Sequence, residues 1–285
     1  MDSLKITRAS AAAGAIIEGV DVREMPPGTF AAIRQALLDN CVIAIRGQHI
    51  KPDDQLAFAR RFGSINMTLG TEPQLNKGIN ALTAEDDEPL IFKIKNMGKK
   101  TVQTEHWHTD NPWAKRPTGF SILAAQNIPA IGGDTMFCNQ YNSYDRLSDG
   151  MKKMLRGVKL THTGGRTPAY RIRPADEWPT ATHPVVISHP ITGRRALYLG
   201  GAPGAACNTF EGFTEKETFP LQKFLYEHCF APENVYRHRW LPGDILIWDN
   251  MCTMHYAIHD YGDEPRDMNR VTVESETPLE APYTD

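Results

Sequence analysis

The run Asp244-Ile245-Leu246-Ile247-Trp248-Asp249-Asn250-Met251-Cys252-Thr253-Met254-His255 decides the fold class of this chain. Asp244 to Trp248 alternates as a half-buried strand, Trp248-Asp249-Asn250 turns the chain, and His255 then faces inward on the strand that follows. Working outward, the same kind of short apolar run recurs at Phe120 to Ala125, Thr135 to Cys138, Val185 to Ser188, Ala196 to Leu199, Val235 to Trp240 and Arg270 to Glu274. Short strands punctuated by Gly and Pro predict a mainly β fold, an antiparallel jelly roll with flanking helices. Four helices are expected. One carries Phe30, Ile33 and Leu37 on one face, one runs from about Asp53 to Phe62, one from Ser148 to Arg156, and one from Thr214 to Cys229 behind a Thr214/Glu217 capping box.

Nearer the N-terminus, Ile16, Ile17, Val20 and Val22 around Gly19 predict a strand pair, and Cys41 to Ile45 a buried strand. Leu69 to Lys100 is polar and reads as a long loop or lid. No repeat or Pro/Ser-rich linker divides the chain, so residues 1–285 are expected to form a single domain. With 31 Lys+Arg against 34 Asp+Glu, the net charge of -3 gives no basic field for nucleic acid. No stretch approaches the roughly 20 apolar residues of a membrane span. Five scattered cysteines without a Cys-x-x-Cys pair read as reduced thiols, and the apolar run Ala11 to Ile17 ends at Glu18 instead of continuing as a leader. A cytoplasmic protein is expected.

Chemistry concentrates in Glu105-His106-Trp107-His108-Thr109-Asp110. In an extended chain His106, His108 and Asp110 share one side, and a His-x-Asp pair with a distant histidine such as His255 makes the two-histidine, one-carboxylate set that leaves coordination positions open. His-x-Asp alone is a weak motif, because surface His and Asp are common and spacing matches are cheap; for His108, Asp110 and His255 together the bland reading is hydrogen-bonded polar residues at a barrel rim. His106 reads either as a pocket residue or as a solvated one. Arg266 and Arg270 follow His255, and two guanidinium groups in a barrel mouth point to two anionic groups. By composition alone Arg266 belongs to an exposed charged turn, and Arg270 could pair across strands. His255 and His259 have a zinc-helix spacing, but Tyr256 stands where that motif needs a glutamate. His49, His162, His183, His189, His228 and His238 have no mutual metal spacing and read as structural or surface residues.

Several blocks then occur in a telling order: Gly47-Gln48; Phe58-Ala59-Arg60-Arg61-Phe62-Gly63; Trp107-His108-Thr109-Asp110; Gly132-Gly133-Asp134-Thr135; His189-Pro190 with Gly193-Arg194; and Trp248-Asp249-Asn250 leading to His255. In these the chain, from about Val20 to Thr272, resembles the iron(II)- and 2-oxoglutarate-dependent dioxygenases of the taurine dioxygenase and 2,4-dichlorophenoxyacetate dioxygenase family. The resemblance implies a double-stranded β-helix and an enzyme using iron(II), 2-oxoglutarate and O2 to hydroxylate a small organic acid, with release of succinate and CO2. It implies that His108, Asp110 and His255 bind the iron, that Thr135 and Arg266 hold the distal carboxylate of 2-oxoglutarate with Trp248 near the same pocket, and that Arg270 meets an anionic substrate. Thr68 falls near the position where the taurine enzyme has a sulfonate-binding histidine, so taurine itself is not the expected substrate. The loop Leu69 to Lys100 and the segment with Arg166, Arg171 and Arg173 are expected to shape the pocket, with His106 beside it. Relatives in this family often form dimers or tetramers, which makes a homo-oligomer an expectation. A zinc-dependent hydrolase and a non-catalytic jelly roll that binds a small acid are the alternatives.

Overall fold

Strand β13 (Ile245–Asp249) is buried at all five positions, because strands flank both its edges and packed layers cover both its faces. The computed structural model describes residues 3–65, 91–96, 105–164, 174–202 and 209–282. Within them a seven-stranded sheet runs in the order β1 (Lys5–Arg8), β2 (Ala15–Glu18), β3 (Val42–Ile45), β13, β5 (Thr118–Asn127), β15 (Arg266–Glu274) and β4 (Phe92–Asn96). All neighbours pair antiparallel except β2 and β3. Alternation along β13 sends Ile245 and Ile247 into one core and Leu246 and Trp248 into another. The half-buried reading of Asp244 to Trp248 is thereby corrected: alternation was present, but both faces are interior.

Helices α1 (Pro27–Asn40) and α2 (Pro52–Arg60) cover the outer face, where Ile33, Leu37, Leu56 and Phe58 meet Ile245 and Ile247. Each such side chain contributes roughly 1.5–3 kcal/mol by leaving water. On the inner face Leu246, Trp248 and Met268 pack with Phe137, Tyr198 and Tyr236. That layer is built by a second sheet, β12 (Val235–His238), β6 (Thr135–Asn139) and β14 (Thr253–Ala257), with the smaller sheets β11 (Thr209–Phe210), β7 (Lys159–Thr163), β8 (Thr180–Pro184) and β10 (Arg195–Leu197), β9 (Val186–Ser188). The facing sheets make the jelly roll. Helices α3 (Gln140–Asp145), α4 (Asp149–Met154) and α5 (Glu215–Cys229) lie beside it, and α5 opens with the expected capping box, in which the Thr214 N–H donates to Glu217 Oε2 at 2.8 Å.

Three local readings change. The N-terminal pair is β1 with β2, closed by an Ala9 N–H to Gly14 O bond of 2.8 Å, while Val20 and Val22 lie beyond it and are held by Gln48, whose Oε1 accepts from Val22 N at 3.0 Å. Cys41 is the left-handed C-cap of α1 (φ 64°), so the strand starts at Val42. The polar stretch Leu69 to Lys100 contains β4, an edge strand that pairs Phe92 with Arg270 and Asn96 with Arg266. Thr68, Arg166, Arg171, Arg173 and Cys207 lie outside the described residues. Among the described residues no helix is long and apolar enough to cross a membrane.

Candidate active site

The segment around His108 is not a regular strand, as its alternation suggested, but it is clamped from two sides by backbone bonds. His108 N–H donates to His255 O at 3.0 Å and His255 N–H to His108 O at 2.8 Å, while the Thr109 N–H donates to Gly200 O at 3.0 Å. His108 thus bridges both β14 and Gly201. Gly200 has φ +70°, and a Cβ there would lie 2.5 Å from His162 Nδ1, so only glycine brings its carbonyl this close to Thr109. His255 and His108 face each other with ring centroids 4.1 Å apart, and Trp248 closes the other side of His255 at 4.8 Å.

His108, Asp110 and His255 each offer one ligand atom, and the three atoms lie within 4.8 Å of one another. Burial, with the facing His255, pushes the His108 imidazole down to about 3, and burial likewise pushes His255 to about 4. Both rings are therefore neutral at pH 7, the form that can donate a lone pair. His108 Nδ1 gives its proton to the His106 carbonyl at 2.8 Å, which leaves Nε2 as the donor atom. Burial opposes ionisation of Asp110, yet Arg270, His255 and His108 together with a Ser121 hydrogen bond hold its carboxyl well below the usual range. Two neutral imidazoles and a carboxylate, close-set, with His255 and Asp110 buried and His108 half-buried, fit iron(II) with open positions.

The carboxylate is oriented by a polar network set into an apolar sheet. Ser121 Oγ donates to Asp110 Oδ2 at 2.6 Å, Asn250 Nδ2 to Ser121 Oγ at 2.9 Å, and Trp248 Nε1 to Asn250 Oδ1 at 3.1 Å. Asn250 Oδ1 also accepts from Asp110 N at 3.2 Å. Ser121 has no signal in sequence other than being one polar residue inside the apolar run Phe120 to Ala125.

A second pole of the cavity lies along β15, whose alternation puts Arg266, Met268, Arg270 and Thr272 on the inner face. Arg266 is 6% exposed, which overturns its reading as an exposed turn residue; its Nε donates to Gly133 O at 3.2 Å. Glycine is required there too, since a Cβ on Gly133 (φ +71°) would meet Arg266 Cδ and Nε at 3.2 Å. Thr135 accepts from Trp240 Nε1 at 3.1 Å, and the Arg266 guanidinium sits 5.8 Å from the Trp240 ring. Trp240 was not singled out in the sequence; it joins the two residues that were. Arg270 lies over the ring of its cross-strand partner Phe92 at 5.0 Å, and its Nη1 donates to Asp110 Oδ1 at 3.1 Å. His106 is exposed, with its ring 4.9 Å from that of His108.

The chain is similar to known proteins over most of its length. Residues 4–272 match the family model described as taurine catabolism dioxygenase TauD, TfdA family. An alkylsulfatase from Acinetobacter baylyi is 32% identical, over 96% of this chain and 86% of its own. An alpha-ketoglutarate-dependent 2,4-dichlorophenoxyacetate dioxygenase from Cupriavidus pinatubonensis is 30% identical, over 90% of this chain and 92% of its own. The crystal structure of a taurine dioxygenase from Burkholderia xenovorans superposes with a TM-score of 0.80 at 29% identity, covering 97% of this chain and 91% of that one.

Proposed function

The chain belongs to the TauD/TfdA family of 2-oxoglutarate-dependent dioxygenases, and on that premise we propose that it hydroxylates a small organic anion held by Arg270, with alkyl sulfate esters as the substrate class. Membership sets aside the zinc hydrolase and the non-catalytic binder. When bound, iron(II) with 2-oxoglutarate and O2 supplies the oxidising chemistry, releasing succinate and CO2 as a substrate C–H bond is hydroxylated. The chain's own residues divide the remaining work. His108, Asp110 and His255 hold the metal, Ser121 and Asn250 fix the carboxylate, and Trp248 packs His255 in place. Arg266 and Thr135, braced by Trp240, bind the distal carboxylate of 2-oxoglutarate. His106 lines the entrance. Arg270, set beside Asp110, places the carbon that bears the anionic group next to the metal. Hydroxylation of a carbon carrying a sulfate oxygen gives a product that breaks to an aldehyde and free sulfate.

The observation that carries this reading is the guanidinium of Arg270 within hydrogen-bonding distance of a candidate iron ligand. The whole chain acts as one catalytic domain, and four buried free thiols, Cys41, Cys138, Cys229 and Cys252, suit the reducing cytoplasm. The test is succinate release from 2-oxoglutarate, with iron(II) and O2, across linear alkyl sulfates, alkanesulfonates and phenoxyalkanoates. Alkyl sulfates should give succinate and sulfate in equal amounts. Turnover stimulated only by phenoxyalkanoates, the reading favoured by the 2,4-dichlorophenoxyacetate relative, would replace the substrate class; stimulation by neutral compounds alone would remove Arg270 from its role.

A further inference from the structure

The two oxygens of Asp110 are not equivalent. Oδ2 is taken by Ser121 at 2.6 Å. Oδ1 faces His255, whose Nε2 is 3.9 Å away, so a metal shared by these two residues takes Oδ1. That same oxygen accepts the hydrogen bond from Arg270 Nη1 at 3.1 Å. We propose that Arg270 competes with the metal for Asp110 and that an anion in the substrate pocket relieves the competition, so that substrate and metal strengthen each other's binding. The proposal rests on the reading of Arg270 as the anion-binding residue.

Three observations favour competition over support. Partners of a metal-bound carboxylate often strengthen the site by orienting it, but here Ser121 already does so through Oδ2, the oxygen not facing His255, and is itself held by Asn250 Nδ2 at 2.9 Å. Arg270 adds a full positive charge a few ångströms from where a dication would sit, and like charges at that distance repel through a poorly screening interior. The guanidinium also has an unused hand: its Nε is buried with no hydrogen-bond partner among the described residues, and the Phe92 ring lies beneath it at 5.0 Å. An anion that engages Nε neutralises the charge and draws the group off Oδ1. Because linkage is reciprocal, the metal must then raise affinity for the anion by the same factor. An enzyme built this way assembles its oxidising centre most firmly when a substrate is present.

The experiment is an anaerobic titration of the full chain with Co(II), followed by its visible absorption, without 2-oxoglutarate and at constant ionic strength. It is run with and without hexyl sulfate on the wild type, Arg270→Gln and Arg270→Lys. We expect Arg270→Gln to bind Co(II) several-fold more tightly than the wild type in the absence of the anion, and Arg270→Lys to stay near the wild type. Hexyl sulfate should tighten Co(II) binding to the wild type by about tenfold, within the usual range of coupling between sites, and leave Arg270→Gln unchanged. Weaker Co(II) binding by a folded Arg270→Gln protein, or an anion effect that survives the substitution, overturns the proposal. The two readings fail separately: hexyl sulfate that is hydroxylated without tightening Co(II) sinks the coupling alone, whereas Co(II) tightening without any succinate release sinks only the substrate class.

Discussion

Two clusters in this protein look alike as lists of residues. His108, Asp110 and His255 form one and His189, Asp249 and Cys252 the other, and in each three ligand atoms lie within 4.8 Å of one another. They differ in what their lone pairs are doing. His189 Nδ1 accepts from the backbone N–H groups of Ile191 at 3.2 Å and Thr192 at 3.1 Å, which forces its proton onto Nε2, and Nε2 donates to Asp249 Oδ2 at 2.9 Å. Asp249 Oδ1 accepts from Met251 N at 2.9 Å, and burial raises the Cys252 thiol well above its ordinary value. Every donor and acceptor of the second His–Asp pair is used within the chain, so it is a brace joining the His189 turn to β13. At the first cluster the backbone clamp leaves His108 Nε2 as a lone pair, and His255 Nδ1 has no partner among the described residues. Spare hydrogen-bonding capacity, more than residue type, separates a site from a brace.

Matched substitutions would break this contrast if it is wrong. Asp110→Ala should abolish Co(II) binding and lower succinate formation by at least about a thousandfold, the scale of losing a group on which the whole reaction depends, and should also destabilise the fold, because it strands the Arg270 guanidinium that donates to Asp110 Oδ1. Asp249→Ala should cost about 3–5 kcal/mol of stability, because one partner of a buried pair is left alone, but Co(II) affinity should be retained in the folded fraction. Co(II) affinity retained by folded Asp110→Ala would mean that both clusters are braces.

A smaller effect sharpens the other pole of the cavity. Arg266→Met should raise the dissociation constant of 2-oxoglutarate by about 10- to 100-fold, the worth of a charged hydrogen bond at a buried site. Thr135→Val should raise it only a few-fold, since the Thr135 hydroxyl is already engaged by Trp240 at 3.1 Å. Calorimetric titration of 2-oxoglutarate under anaerobic conditions measures both. Equal effects would put Thr135 on the ligand as firmly as Arg266.

How much of this was legible in the sequence follows from what a one-dimensional pattern can hold. The apolar run Ile245 to Trp248 marked a strand, but alternation is the same whether one face or two are covered, so its position in the middle of the sheet was hidden. His108 and Asp110 are near neighbours and could be paired on paper. Ser121, Trp240 and the His189–Asp249 brace join residues far apart in the chain, and a single polar residue in a strand gives no hint of its partner. Composition alone would put Arg266 in an exposed turn, because charge density argues for solvent, whereas the register of β15 against β4 and β5 carries the residue inward.

The smallest expected effect probes a residue that sits between the two types. His162 is fully buried, and neither of its ring nitrogens has a hydrogen-bond partner among the described residues, which by spare capacity alone would mark it as a site. Its surroundings say otherwise: it packs against His183 and Tyr198 with ring centroids 5.7 and 5.9 Å away and fills the space that Gly200 leaves open. Burial, with a smaller push from His183, lowers its pKa to about 3. A histidine in the unfolded chain takes up its proton near pH 6.5. Between these values the unfolded state binds the proton and the folded state does not, so this residue's contribution falls as pH drops below about 6.5. At pH 5 the loss from this one group is about 2 kcal/mol. His162→Gln should flatten the stability curve between pH 7 and 5 by one proton's worth, measured by urea unfolding at a series of pH values, while the Co(II) affinity of the folded protein stays within a few-fold. Parallel curves for variant and wild type would show that His162 titrates normally. A large loss of Co(II) affinity would move it from wedge to site, and spare capacity would then have been the sufficient criterion after all.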